Sequence, residues 1–305
     1  MRIVSLLPSA TEIVCSIGLR DQLVGVTHEC DFPASVGGLP IVTRSLIPEG
    51  LSSAAIDAQV RQRLREHNAL YRLREDVLEE LRPDLIVTQA LCDVCAVAAD
   101  EVEAAACALP GRPRVVNLEP SSLQEVFETV EWVGDAAGQA GKARRAVAEM
   151  RARLDAVRQR SAALPSRDRP RVAVLEWLHP PFNAGHWTPQ LVEFAGGIDC
   201  LGNPFEPSTT VSWERVAASD PDAILVALCG FGEERSLEDV ELLREEPGWK
   251  SLRAVREGRA YLTDGNAYFN RPGPRLLDSL EILAHALHPR VHPAPPEAPP
   301  ARHVG

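Results

Sequence analysis

The chain has 305 residues, enough to bury a large core and more than one compact domain usually holds. Hydrophobic residues make up 45% and charged residues 25%, the balance of a soluble globular protein, while a formal charge of −11 argues against a nucleic-acid partner. No Lys/Arg stripe interleaved with aromatics occurs, and no apolar run approaches the ~20 residues of a membrane-spanning helix.

In chain order, residues 2–7 (RIVSLL) read as a buried strand, and "PSATEIVCSIG" as a helix capped near Ser9 or Thr11 and stopped by Gly18. The strand begins so early that no charged, apolar and cleavage regions of a signal peptide precede it. The expectation is therefore a cytoplasmic protein, or a periplasmic one if the chain has been trimmed. "LVGVT" is a second strand, followed by the irregular "HECDFP". Residues 52–81 have a charged helical pattern, after which "DLIVTQ" and "RVVNL" read as strands. The stretch 121–160 has helical spacing nearly throughout and reads as one long connecting helix of about 60 Å. Gly134, Gly138 and Gly141 weaken its middle, and the competing reading is two packed helices joined by a turn. Strands resume with "RVAVLEWL", "DAILVAL" and "RAYLTD", and "PRLLDSLEILAHAL" is the last helix. The Pro-rich end, 289–305, has no apolar periodicity and is expected to be disordered.

Two pieces echo each other. "LRPDLIVTQALC" and "SDPDAILVALCG" both run Pro-Asp, apolar strand, Cys-bearing turn. The implied fold is α/β: an N-terminal lobe (1–119), a connecting helix (120–162) and a C-terminal lobe (163–288), each lobe a Rossmann-like small parallel sheet flanked by helices. Ligands of such sheets bind beyond the carboxyl ends of the strands, so a cleft between two facing lobes is the expected site.

The loops that follow the strands supply the candidates. The second lobe brings Trp177, Phe182, Trp187, Phe231, Tyr268 and Phe269, a high density for a chain that is 5% aromatic. They suit a large planar ligand, or else they pack beneath the loops. In the first lobe, His28, Glu29, Cys30 and Asp31 are metal-ligand types at a spacing that is not a zinc motif. Cys92 and Cys95 can be read as pocket-lining or packing thiols, as ligand contacts or a redox pair, or as half a zinc site. No second Cys-x-x-Cys supports zinc, and the seven cysteines, an odd number, suit free thiols rather than a disulfide framework. No nucleophile elbow and no glycine-rich phosphate loop is present, so no catalytic residue, metal site or catalytic cofactor is assigned.

An ordered set of motifs between residue 2 and about residue 288 carries a resemblance: "RIVSLLPSATEIVCSIGLRDQLVGVTHECDFP", "LRPDLIVTQ", "PPFNAGHWTPQLVEFAGG", "VSWERVAASDPDAILV" and "YFNRPGPRLLDSLEILAHALHP". Together they resemble the vitamin B12-binding and iron-complex substrate-binding proteins of ABC transporters. The resemblance implies a non-enzymatic binder of cobalamin or another corrinoid, with haem or a ferric chelate as the alternative; the cysteines themselves leave a thiol-redox role for Cys92/Cys95 as a further reading, and a monomer is expected. Under it, Ser9 and Glu29 look like first-lobe pocket positions, and Phe182, Tyr268 and Arg271 like second-lobe ones, Arg271 bonding amide side chains of a corrinoid. Asp76 and Glu214 look like the acidic pair with which such proteins dock to a transporter permease, although helix-start acids are favoured by the dipole in any case. Three features depart from the exported pattern: the absent signal peptide, an insertion at 45–73, and the "LCDVC" loop. They point to a subgroup with a modified pocket, a corrinoid carrier, scavenger or sensor.

Overall fold

The computed structural model describes residues 1–48, 50–66, 70–89 and 97–304. Two compact units result: the first holds residues 1–120 and 124–149, the second 121–123 and 150–305.

The first unit is built on a four-stranded, all-parallel sheet. Its strands are β1 (Ile3–Ser5), β2 (Leu23–Gly25), β5 (Leu85–Thr88) and β6 (Arg114–Asn117), in the order β2-β1-β5-β6. The β1 and β5 residues are all buried, as near-continuous Val/Ile/Leu runs in a covered parallel sheet should be. Between β2 and β5 lie β3 (Thr43–Ser45), α2 (Ser53–Glu66), β4 (Tyr71–Leu73) and α3 (Glu75–Leu81). β3 and β4 form a separate antiparallel ribbon, with Thr43 opposite Leu73 and Ser45 opposite Tyr71. The uninterrupted helical pattern expected over 52–81 is thus broken: the Tyr-Arg-Leu segment finds a strand partner in β3, a long-range pairing that overrides local periodicity. α1 (Pro8–Ser16) follows β1 and α4 (Ala99–Ala108) precedes β6. Val4, Leu6, Val42, Leu78, Ile86 and Val102 pack together as a core on this sheet.

Helical spacing over 121–160 resolves into α5 (Leu123–Ala136) and α6 (Ala140–Ala162). Gly138 at the break has φ +66, in the left-handed region that glycine reaches without steric cost. Gly134 lies against the next helix: a Cβ there would stand 2.3 Å from that of Ala143. The connecting helix is therefore α6 alone, 23 residues or about 35 Å long, and the boundary between the units falls inside it, at Glu149/Met150.

The second unit repeats the plan. β7 (Arg171–Leu178), β10 (Ile198–Asp199), β12 (Ala223–Val226) and β13 (Ala260–Leu262) are parallel in the order β10-β7-β12-β13, and β8 (Pro181–Asn183) folds back antiparallel on β7. The sequence echo has a physical basis. Asp84 Oδ2 accepts the backbone N–H of Arg2 at 2.7 Å, and Asp222 Oδ2 accepts that of Arg171 at 2.8 Å. Each Pro-Asp thus ties the start of a central strand to its parallel neighbour. β9 (Gly185–His186) and β11 (Asn203–Pro204) pair in a small side sheet, with α7 (Thr188–Phe194) between β9 and β10. α8 (Trp213–Ala218), α9 (Glu233–Leu243), α10 (Pro247–Ser251), α11 (Arg253–Arg256) and α12 (Leu276–Leu287) complete the unit. Leu175, Ile224, Leu228, Leu243, Trp249 and Leu262 lie in its core.

The chain end departs from the disorder expected of 289–305. β14 (Arg302–His303) adds antiparallel to β13, Val304 is buried in the core, and its N–H donates to the Ala260 carbonyl at 3.0 Å. His292, 2% exposed, lies within hydrogen-bond reach of Ser161 Oγ at 3.1 Å. A few long-range anchors order this strap, and composition does not reveal them. Among the described residues, no helix is long and apolar enough to cross a membrane.

Candidate functional site

Parallel strands direct their following loops to one end of each sheet, and the functional candidates fall there. In the first unit, Ser9 lies in the first turn of α1 and is 2% exposed. Beneath it, Thr11 Oγ1 donates to Ser5 Oγ at 2.8 Å and lies 3.0 Å from Cys30 Sγ. The loop after β2 carries His28 and Glu29. His28 is exposed, but its Nδ1 is 2.8 Å from Thr43 Oγ1 and 3.3 Å from Thr27 Oγ1. Burial of that side of the ring holds its pKa below the usual histidine value, against the opposing field of Glu29, so the imidazole is neutral at pH 7. Tyr71 packs its ring 5.3 Å from that of His28 and donates its hydroxyl to Glu29 Oε1 at 2.8 Å.

Thr27, Thr43 and Tyr71 belong to this cluster; Thr27 stands beside His28 on the strand-end loop, whereas Thr43 and Tyr71 escape a reading of the sequence. Thr43 and Tyr71 join it only because β3 and β4 pair. The one signal is that Tyr71, one of three tyrosines, stands at the end of the insertion. Cys92 and Cys95 lie outside the described residues. Thr88 Oγ1 and Gln89 Oε1, at the end of β5, are buried with no hydrogen-bond partner among the described residues.

In the second unit the aromatic candidates separate into two groups. Trp177, at the end of β7, is half-buried, pairs across to Phe182 of β8, and has its ring 5.0 Å from that of Phe231 in the turn after β12. Trp177 Nε1 donates to the His179 carbonyl at 3.2 Å, and the Arg235 guanidinium caps Phe231 at 4.5 Å from the ring centre. All three rings are partly exposed, so Trp177, Phe182 and Phe231 form an accessible aromatic surface at the carboxyl end of the sheet. Trp187 and Phe269 are different. They are 5% and 1% exposed, and Trp187 Nε1 donates to the Phe269 carbonyl at 2.7 Å. Expected as ligand contacts, they are instead packing residues, because the indole N–H finds its acceptor inside the fold. Tyr268 and Arg271 are also buried, at 8% and 6% exposure. Tyr268 carries the Arg275 guanidinium over its ring, and its phenol pKa is raised by burial. Arg271 Nη2 donates to Asn266 Oδ1 at 2.9 Å, which places this arginine in the framework of the 264–275 loop rather than free at its surface.

Asp76 and Glu214 are both exposed, in the first turns of α3 and α8. The Glu214 carboxyl is held below its usual pKa by its own backbone N–H and by Ser212, the residue that caps α8.

This architecture has known counterparts. A family model described as periplasmic binding protein matches residues 3–267. An uncharacterised ABC transporter substrate-binding lipoprotein of Bacillus subtilis, YvrC, is 25% identical over 293 residues, spanning 94% of this chain and 80% of that relative. The vitamin B12-binding protein of Vibrio cholerae is 23% identical over 288 residues, 92% of this chain and 86% of the relative. Among solved structures, a periplasmic heme binding protein from Pseudomonas aeruginosa superposes with a TM-score of 0.72 at 23% identity, covering 95% of this chain and 93% of its own. The periplasmic vitamin B12 binding protein BtuF of V. cholerae gives 0.68 at 21% identity, covering 94% and 96%. With the match running through both units, the chain belongs to the periplasmic binding protein family, a family of solute-binding proteins.

Proposed function

We propose that this protein is a non-enzymatic binder of cobalamin or a related corrinoid, serving uptake, carriage or sensing. The observation that carries the reading is the surface of Trp177, Phe182 and Phe231: three partly exposed rings at a strand-end site, suited to the face of a flat macrocycle. Relatives named as vitamin B12-binding proteins, matching more than nine-tenths of the chain, support the ligand class. Exposed Asp76 and Glu214 fit an acidic pair for docking to a permease if the protein works with a transporter.

Replacing Trp177 and Phe231 together by alanine tests the site. Cyanocobalamin affinity should fall about 5- to 150-fold, since two stacked rings contribute roughly 1–3 kcal/mol. Unchanged affinity in a folded double variant would remove this surface from the ligand's path. Haem or a ferric chelate is the second reading, favoured by the fold likeness to heme-binding proteins and by the imidazole of His28.

A further inference from the structure

The terminal strap does not fill the space it covers. It crosses the groove between α6 and α12 and leaves a hollow of 230 Å³ beneath prolines 293, 295 and 296, lined entirely by residues of the second unit. Ala156 and Val157 of α6 and Ala284 of α12 form its floor. Well-packed interiors leave few voids of this size. The volume is that of about eight liquid waters, or of an organic molecule with about as many non-hydrogen atoms.

The strap is held at its two ends. At one, the His292 N–H donates to the His288 carbonyl at 2.9 Å, and the imidazole lies 3.1 Å from Ser161 Oγ. At the other, β14 pairs with β13, and His303 Nδ1 is 3.0 Å from the Gly258 carbonyl. From Pro293 to Ala301 no backbone–backbone hydrogen bond is made among the described residues, and the prolines there have no N–H to give. The middle of the strap can therefore move outward over a guest without breaking a backbone bond.

Charge is unevenly compensated along the hollow. Arg153 and Arg160 stand two turns apart on α6, about 10 Å. Arg153 is neutralised by Asp278 and Glu281. Arg160 makes no ion pair among the described residues, and its neighbour Ser161 holds His292. The charged groups acting on His292 are His288, Arg160 and His285, none of them a carboxylate. His292 Nδ1 is buried with no hydrogen-bond partner among the described residues, a state seldom left uncompensated. When Ser161 donates to Nε2, Nδ1 carries a proton and lacks an acceptor.

We propose that this hollow is a binding site for a small amphiphilic carboxylate, its charged end on Arg160 and its apolar part beneath the prolines. The apolar floor and roof suit a short hydrocarbon chain, and the unpaired guanidinium suits the carboxylate. Nδ1 of His292 is covered in this conformation, so the guest meets it as a second donor only when the strap eases outward. The site shares no residue with the surface of Trp177, Phe182 and Phe231, and its test is independent of corrinoid binding.

The test titrates the full chain, methyl-labelled at alanine and valine, with hexanoate and with hexanol, which keeps the chain and lacks the charge. Hexanoate should shift the methyl resonances of Val157 and Ala284 saturably, and hexanol should bind about tenfold more weakly. Arg160→Ala should weaken hexanoate about tenfold and leave hexanol unchanged, removing the difference between the two probes. Ala156→Leu, which places a larger side chain in the hollow, should abolish binding of both. The comparison of the two probes needs only the wild-type protein, so it stands even if a variant fails to fold. No saturable shift with hexanoate at about 10 mM would overturn the site. Equal affinities for hexanoate and hexanol would overturn the carboxylate as its ligand, and undiminished shifts in a folded Ala156→Leu variant would place the binding elsewhere.

Discussion

Arg153 on α6 donates to Asp278 Oδ1 at 2.6 Å and to both carboxylate oxygens of Glu281, at 2.9 and 3.0 Å, on α12. Burial opposes the charge on Arg153, but the two carboxylates outweigh it and raise its pKa, while burial pushes Asp278 upward against the pull of Arg153. Removing Asp278 leaves Arg153 with Glu281 as its one carboxylate partner there, so an enclosed charge is less fully compensated. Asp278→Ala should lower the unfolding free energy by about 2–3 kcal/mol, less than for a fully buried pair because Arg153 keeps some contact with water. Urea unfolding measures this, and a midpoint equal to that of the wild type would show the network to be energetically idle. Single residues were the least legible part of the sequence. Aromatics could be assigned to strand-end loops, yet Trp187 and Trp177 looked alike there. What separates them is a hydrogen bond from Trp187 to Phe269, 82 positions away, which no local pattern encodes.

The main strands were readable because apolar runs and the Pro-Asp repeat are local signals, and Asp84 and Asp222 give that repeat its mechanical meaning. Less legible were elements defined by a distant partner: β4 on β3, and the terminal strap on β13. The strap carries a pH dependence of its own. His292 has its pKa pushed down to about 4 by burial, then by His288, Arg160 and His285 around it. His285 Nδ1 lies 3.0 Å from the His292 carbonyl, and His288 Nε2 3.1 Å from that of Gly196. Arg153 and Glu281 line the same hollow beneath prolines 293, 295 and 296. The docked His292 thus stays neutral over a range in which an undocked histidine, with its ordinary value near 6.5, takes up a proton. Docking is therefore full above about pH 6.5 and weakens as pH falls toward about 4. After correction for intrinsic exchange rates, hydrogen exchange at the Val304 amide should be about tenfold faster at pH 5 than at pH 7. His292→Phe should flatten that dependence; an equal acceleration in the variant would place the pH sensitivity elsewhere.

At the scale of the whole molecule, two units of one plan, a shared α6 and a family match over residues 3–267 describe a solute-binding protein. The motifs that carry the resemblance run through both units, which is why fold and family could be read together from the sequence. The Cys92/Cys95 question stands apart, on residues outside those described. Everything else in the functional account depends on one ligand. Calorimetric titration of the purified full chain with cyanocobalamin, set beside ferric haem, decides it directly. The account predicts saturable one-to-one heat with cyanocobalamin at micromolar or tighter affinity, about −8 kcal/mol or stronger, and no comparable binding of haem. No heat with cyanocobalamin or hydroxocobalamin, or saturable binding of haem alone, would contradict it.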